Sequence, residues 1–397
     1  MNQRSVALEI IYKSISDESY TNLLMRKRLN VLKPDERPFV TNIVNMVLRN
    51  YDLLIYQIND YLNDKTSLRN KIILAMAIYE KFYLKEKDFV VNNEYVKLAN
   101  NKYDKAFINA LLRKEIIFKK AEEDYINCSL PEWLYKLLSK QYSKEDFDKI
   151  INNFNRIPKT YYRINHSKAK FCDLEDIEIV NDDMFIVNKR LINLDYLNNG
   201  LAYIQDYNSA SLYKNLDLKK DDVLLDVCCA PGSKLFNCLD IIDDKNAYAN
   251  EIHEHRLKLI KDKAEVLGFK DIHYLNYDGR VLKDVLDIKF DKIILDVPCS
   301  GLGTLSRKPD LKYHIKPNNL DELENIQAEL LNNCLELLKD NGEVLYSTCT
   351  LNKKENNRQI EKFLLKHPEC HLKKEETIIN DLGDCFYYAL LIKGIIN

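Results

Sequence analysis

Two short segments hold the residues best suited to covalent chemistry: Asp296-Val297-Pro298-Cys299-Ser300 and Tyr346-Ser347-Thr348-Cys349-Thr350. Each reads as the end of a buried strand followed at once by a cysteine, and the two cysteines are 50 residues apart. Binding alone has no need of two thiols in one crevice. Addition of a nucleophile to a pyrimidine ring does. C5 of a cytosine is a poor nucleophile; a thiolate added at C6 breaks the aromaticity and makes C5 enamine-like, so that it can attack an electrophilic methyl group. A base then removes the C5 proton and the thiolate leaves. This scheme needs a cysteine of depressed pKa, a proton acceptor, and a group that protonates or hydrogen-bonds N3 and O2. Cys299, Cys349, Asp296 and Lys234 are residues of those types. A free cysteine is more often a small buried residue. That plain reading suits the other eight cysteines, Cys228 and Cys229 included, and not this pair.

The residues around the pair describe a nucleoside crevice. In open α/β sheets, ligands bind beyond the C-terminal ends of the strands. Asp226 closes a first strand and is followed by Cys228-Cys229-Ala230-Pro231-Gly232-Ser233-Lys234, a turn of small residues leading into a helix. Gly232 lets the backbone come close to a ligand, and the helix start offers free N–H groups. Glu251, 25 residues on, ends the second strand and is placed to accept ribose hydroxyls; Asp278 ends the third, on the adenine side; Asp296 ends the fourth. Any one of these acids could equally be a helix cap or turn former, but four in order at strand ends point to a ligand. The GxGxxG phosphate fingerprint is absent. A nucleoside cofactor without a pyrophosphate, S-adenosylmethionine, therefore fits best, since its sulfonium is attracted to carboxylates. Amino-directed methylases place a Pro-Pro-aromatic turn after the fourth strand; Val297-Pro298-Cys299-Ser300 stands there instead, which favours carbon as the methyl acceptor.

These residues need a sheet to position them, and the pattern from about 205 onward provides one. Strands are expected at 223–227, 247–250, 272–275, 292–295 and 344–347, alternating with helices as in βαβ units, with a late pair near 370–373 and 386–392. Residues 1 to about 125 show helical periodicity only: Val6, Ala7, Ile10, Ile11 and Ile15, then Phe39, Ile43, Met46 and Val47 after a start near Pro34, then 72–79, 91–99 and 106–117. That is an all-α bundle. Between them, a helix opening at Pro131 with Ser129 as cap, and strands at 160–165 and 184–187, make a small α+β module.

Composition sets outer bounds. The chain of 397 residues is long enough for two or three domains. Its net charge is −2, with about +4 on residues 1–150 and about −6 on residues 201–397, so only the front half leans towards phosphate. Ten cysteines lack CxxC pairing, and the seven histidines are scattered, which argues against a disulfide framework and a metal site. No apolar run is long enough to cross a bilayer, and Met1-Asn2-Gln3-Arg4-Ser5 leads into an amphipathic pattern rather than a signal peptide; a cytoplasmic protein away from membranes is expected.

Residues 228–234, 296–300 and 346–351 with Glu355-Asn356, the turn Gly301-Leu302-Gly303-Thr304 and Arg307-Lys308-Pro309-Asp310 resemble the motifs of the Sun-type (RsmB-like) RNA cytosine-5 methyltransferases. The resemblance runs over the whole chain. Val91-Asn92-Asn93-Glu94-Tyr95-Val96 and Asn109-Ala110-Leu111-Leu112-Arg113 resemble a NusB-like RNA-binding bundle; Pro131-Glu132-Trp133-Leu134 and Ile204-Gln205-Asp206 resemble the linker module and the approach to the catalytic domain. It implies three parts: a NusB-like helical domain over 1–125, a small α+β module over 126–204, and a Rossmann-like class I S-adenosylmethionine-dependent methyltransferase domain over 205–397. It further implies that Cys349 is the nucleophile and that Cys299 assists proton removal and product release. Cys228, Cys229, Ala230, Pro231, Gly232, Ser233, Lys234, Glu251, Asp278 and Asp296 would bind S-adenosylmethionine, with Lys234 and Asp296 also reaching the target base. Cys229 and Ser233 replace an alanine and a glycine of the family turn, Glu251 stands where aspartate is common, and Lys308 where histidine is frequent; none of these removes a catalytic group.

The expectation is an enzyme that methylates C5 of one cytosine in 16S ribosomal RNA, naked or in an early small-subunit particle, acting as a monomer without an obligate protein partner. The target base would be splayed out of its loop or helix into the crevice. A tRNA-directed enzyme is the alternative within the class. A non-catalytic RNA-binding assembly factor and a DNA cytosine methylase, in which Cys299 would be the nucleophile, are the alternatives outside it.

Overall fold

The computed structural model describes residues 2–17, 20–187 and 194–394; the parts of the expected domains at 1, 18–19, 188–193 and 395–397 lie outside the described residues. The chain forms two compact units. One comprises residues 1–147 together with 305–316, the other 148–304 together with 317–397.

The first unit is helical. Its bundle consists of α1 (Gln3–Ser16), α2 (Thr21–Arg28), α3 (Arg37–Tyr56), α4 (Leu68–Phe82), α5 (Asp88–Val96) and α6 (Lys102–Leu112). Side-chain caps open three of them: Asn2 accepts from Arg4 N, Ser67 from Asn70 N, and Asn101 from Tyr103 N and Asp104 N, each cap contributing about 1 kcal/mol. The expected start of α3 at Pro34 moves to Arg37, with Pro38 in the first turn, where a missing N–H costs nothing. Val6, Ile10, Val40, Val47, Ile73, Ala77 and Tyr95 meet in one core. Within it the Glu80 carboxylate is buried, held by Arg4 at 2.7 Å and by the Tyr95 hydroxyl at 2.5 Å. Ser129 does not cap the next helix, Glu132–Gln141: Pro131 holds the cap position, and the Ser129 hydroxyl accepts from Asp52 N at 3.0 Å.

The second unit holds two sheets. The small one has order β2-β3-β1-β4, with β1 Tyr162–Ile164, β2 Ile177–Ile179, β3 Met184–Val187 and β4 Ala202–Ile204, every pair antiparallel. The large one has order β10-β11-β9-β8-β5-β6-β7. Its strands are β5 Leu224–Asp226, β6 Ala247–Asn250, β7 His273–Leu275, β8 Phe290–Asp296, β9 Leu338–Thr348, β10 Cys370–Ile378 and β11 Phe386–Lys393. β5 to β9 are parallel, and β10 and β11 add an antiparallel edge. Alternation along the strands serves two cores. Leu224, Ala249, Ile294, Leu345 and Tyr388 pack with Phe236, Ile260 and Ala264 on one face. Leu225, Ile293, Leu295, Tyr346 and Tyr387 pack with Leu331, Leu335 and Ile360 on the other. A sheet covered on both faces explains why its strands read as continuous apolar runs. The order reverses between β5 and β8, the position at which such sheets open a crevice. No described helix is long and apolar enough to cross a membrane.

Candidate active site

The parallel register of β8 and β9 sets Asp296 beside Ser347. The residues just beyond both strand ends therefore emerge side by side, and Cys299 Sγ lies 3.3 Å from Cys349 Sγ. Asp296 is held from two sides: Ser347 Oγ donates to Oδ1 at 2.7 Å, and Lys234 Nζ donates to Oδ2 at 2.6 Å. Lys234 comes from the helix Ser233–Cys238, which starts at Gly232 in the left-handed region (φ 91°). A Cβ at Gly232 would stand 2.6 Å from the Phe236 ring, so this turn requires glycine.

Charge and burial bear on the thiol pair from several sides. Cys299 is pushed well above the ordinary range by its hydrogen bond to Cys349, then by burial, then by the nearby carboxylates of Glu355 and Asp296. Lys234 loses cationic character to burial but regains more from Asp296, and also feels Cys349 and Asp226, so that its pKa is raised overall. The ammonium thus lies where negative charge on Cys349 is favoured. Cys228 and Cys229 are pushed up by burial and by Asp226 and remain thiols.

The other expected site residues line the ends of β5, β6 and β7. Asp226 is buried, and its carboxyl is raised to about 7 by burial first and then by the charge of Asp296. Its Oδ1 has no hydrogen-bond partner among the described residues. Glu251 is buried and paired with Arg256 at 3.3 Å, with a further bond from His253 N at 3.1 Å. Arg256 also donates to the Ala230 carbonyl at 3.1 Å, tying the small-residue turn to β6. Asp278 caps the turn Gly279–Val281 and is held by Arg280 at 2.6 Å, a pairing that lowers its pKa. Ser233 Oγ accepts from Lys263 Nζ at 3.1 Å; burial brings Lys263 down to about 8. Pro231 is exposed at the apex of the turn. Lys234, Asp296, Cys299 and Cys349 are brought together; Glu251 and Asp278 stand at the neighbouring strand ends.

Several polar residues at the site carry no signal in periodicity or spacing. Asn250 is buried and bridges two loops, donating to Val227 O at 2.9 Å and Tyr277 O at 3.0 Å. Ser347 is a strand-interior serine whose neighbour is set by the register alone. Glu355 and Gln327 meet behind the cysteine turns, at 3.0 Å. A polar residue inside an apolar strand end was the one sequence sign available for Asn250 and Ser347.

Residues 213–386 match the family model described as 16S rRNA methyltransferase RsmB/F, and residues 1–116 match that of the NusB family. The probable ribosomal RNA small subunit methyltransferase B of Bacillus subtilis is 31% identical over 92% of this chain and 89% of its own length. The corresponding protein of Synechocystis is 28% identical over 93% and 90%. Among solved structures, PH0851 shares the fold over 99% of both chains, with TM-score 0.78 and 21% identity. NSun6 from Pyrococcus horikoshii, solved with SFG, shares it over 67% of this chain and 99% of its own, with TM-score 0.59 and 18% identity. With its cysteine pair at the ends of β8 and β9, and a relative 31% identical along almost its whole length, this chain belongs to the RsmB/F family of 16S rRNA methyltransferases, with a NusB-family domain at its front.

Proposed function

We propose that this protein methylates C5 of one cytosine in small-subunit ribosomal RNA, with S-adenosylmethionine as methyl donor, through a covalent adduct between Cys349 and C6. The observation that carries the reading is the 3.3 Å approach of Cys299 and Cys349 beside the Lys234–Asp296 pair. The division into a NusB-like domain to about 125, a linker module to 204 and a catalytic domain beyond is part of the same proposal.

The residues at the strand ends fit the cofactor. Asp226 Oδ1 is a buried acceptor without a donor among the described residues, and Gly232 leaves space that a side chain would fill. Residues 228–234 with Glu251, Asp278 and Asp296 would hold it, and when bound it supplies an electrophilic methyl group. The chain's own residues do the rest. Cys349, as thiolate, adds to C6; the pair of thiols then retains one proton, on Cys299. Lys234 donates to O2, where negative charge collects once C6 is substituted, while the Asp296 carboxylate accepts from the 4-amino group and holds the Lys234 ammonium in place. As a thioether, Cys349 no longer accepts from Cys299 as a thiolate does, which removes the largest influence raising the Cys299 pKa. Cys299 can then release its proton to solvent and take the one on C5. The C6–Sγ bond breaks with its electron pair returning to Cys349, and the pair again shares one proton. The net balance is one methyl gained by the base and one proton released to water.

Separate cysteine substitutions test the assignment. Cys349→Ala is expected to abolish turnover and adduct formation. Cys299→Ala is expected to accumulate a covalent RNA adduct on Cys349, read as a shifted band on a denaturing gel. Full turnover by Cys349→Ala would overturn the assignment of the nucleophile. Bisulfite sequencing of ribosomal RNA from cells with and without the gene tests the target: one small-subunit cytosine should lose protection.

A further inference from the structure

Cys299 and Cys349 sit on different turns, each half-buried at the end of its own strand. Strand register ends before either cysteine, so it does not by itself hold the two turns at sulfur contact distance. We propose that Glu355 is a positioning residue for the cysteine pair, a buried carboxylate that clamps the turn after β8 to the turn after β9. The proposal rests on the reading of the pair as the reaction centre.

The Glu355 side chain is fully buried, and four neutral donors converge on it. Oε2 accepts from Ser300 N at 2.8 Å and Gln327 Nε2 at 3.0 Å. Oε1 accepts from Ser300 Oγ at 2.6 Å and Asn352 Nδ2 at 3.1 Å. Ser300 follows Cys299, and Asn352 belongs to the turn carrying Cys349, so one carboxylate grips both. The two turns are also joined directly: Ser300 Oγ lies 2.7 Å from Thr350 Oγ1, and Gly303 N donates to the Cys349 carbonyl at 2.9 Å. Gln327 extends the grip by donating to Pro298 O at 3.0 Å, one residue before Cys299. Glu355 is itself fixed by the Tyr346 hydroxyl, which donates to its carbonyl at 2.7 Å.

Only a carboxylate satisfies this arrangement. Four donors need four acceptor lone pairs, which an ionised carboxylate presents and an amide does not. Glutamine has the same shape, but its NH₂ would face at least one of the donors and leave buried groups unpaired. The charge of Glu355 also falls on Cys299 and favours its protonated form. The clamp therefore sets the distance between the thiols and places a buried negative charge beside Cys299.

The test measures spacing and catalysis separately in the full-length protein. Glutathione disulfide would oxidise the two thiols to a Cys299–Cys349 disulfide, with two electrons passing to glutathione. The yield at fixed redox ratio reports how closely the thiols are held. Glu355→Gln should lower that yield about tenfold. Its kcat should fall roughly 100-fold, the scale of a 1 Å misplacement, while KM for RNA stays within about twofold. Ser300→Ala, which leaves the carboxylate and three of its donors, should shift both quantities in the same direction by less, and decides the matter if Glu355→Gln does not fold. Wild-type disulfide yield and kcat in folded Glu355→Gln would overturn the proposal, as would an effect confined to KM. If Glu355→Gln loses disulfide yield while Cys349→Ala retains turnover, the clamp stands and the covalent reading of the pair fails.

Discussion

Asp226 combines complete burial with an oxygen that no described residue satisfies. An ionised carboxylate in such a place is costly, so the group holds its proton until the pH reaches about 7. Its pKa is raised on folding above the usual value of about 3.9. The folded state then binds more protons than the unfolded state between those limits. Stability is fully present below the lower value and declines as the pH rises through about 7. Asp226→Asn removes the titration and keeps the shape. Its melting temperature should therefore hold more nearly level between pH 5 and 8 than that of the native chain, whose loss across the window is on the order of a few kcal/mol at most. If Asp226 serves the cofactor, the same substitution should weaken S-adenosylmethionine binding about tenfold or more in calorimetry. A native chain with no greater decline than the variant would show that Asp226 is ionised well below pH 7.

At the scale of elements, the cysteine turns depend on close backbone approach. A Cβ on Gly303 would meet the Cys385 carbonyl oxygen at 2.1 Å and the Cys349 carbonyl oxygen at 2.9 Å. These contacts are backbone, with no flexible end to give way. Gly303→Ala should cost about 1–3 kcal/mol by overpacking, lower the melting temperature, and reduce turnover more than Ser300→Ala does, because it pushes the whole turn off Cys349. Thermal unfolding beside a single-turnover assay checks both. The elements that carry the site were legible because their strands are covered on both faces and end in polar or small residues; 247–250 matches β6. The short strands β2 and β4 were not, since three residues on a small sheet leave no periodic signal, and β2 is largely exposed. Ser129 suited a cap by type, but its hydroxyl is taken up by Asp52, a partner 77 residues away. The juxtaposition of Cys299 with Cys349 and of Lys234 with Asp296 followed from strand ends sharing one edge. The grip of Glu355 did not, because Ser300, Gln327 and Asn352 reach it from three separate stretches of chain.

On the scale of the molecule, the helical unit is built from two distant stretches, and residues 305–316 belong to it although the chain around them builds the other unit. Buried polar contacts fix this segment to the bundle. Arg49 donates to Ser306 O at 2.6 Å, Tyr313 OH to Leu48 O at 2.9 Å, and Thr21 N to the Asp310 carboxylate at 2.9 Å. Lys312 is buried and donates to Arg49 O at 2.9 Å and to Ser129 O. Burial brings its pKa down to about 8, against some support from Asp52. A lysine lowered on folding leaves the folded state with fewer protons than the unfolded state between about 8 and the ordinary value of about 10.4. The stability of this unit should therefore rise with pH across that window relative to a variant without the group. Lys312→Met is that variant. Near pH 7 it leaves two carbonyls without their donor, at about 1–3 kcal/mol, and gains back the desolvation of a buried cation. Trp133, the one tryptophan of the chain, lies in the same unit, so its fluorescence during urea unfolding reports on it directly. Native Trp133 midpoints should climb relative to Lys312→Met from pH 8 to 10. A relative fall would mean that Lys312 gains rather than loses basicity when buried, and that the segment is held by ion pairing instead of by its donors to backbone carbonyls.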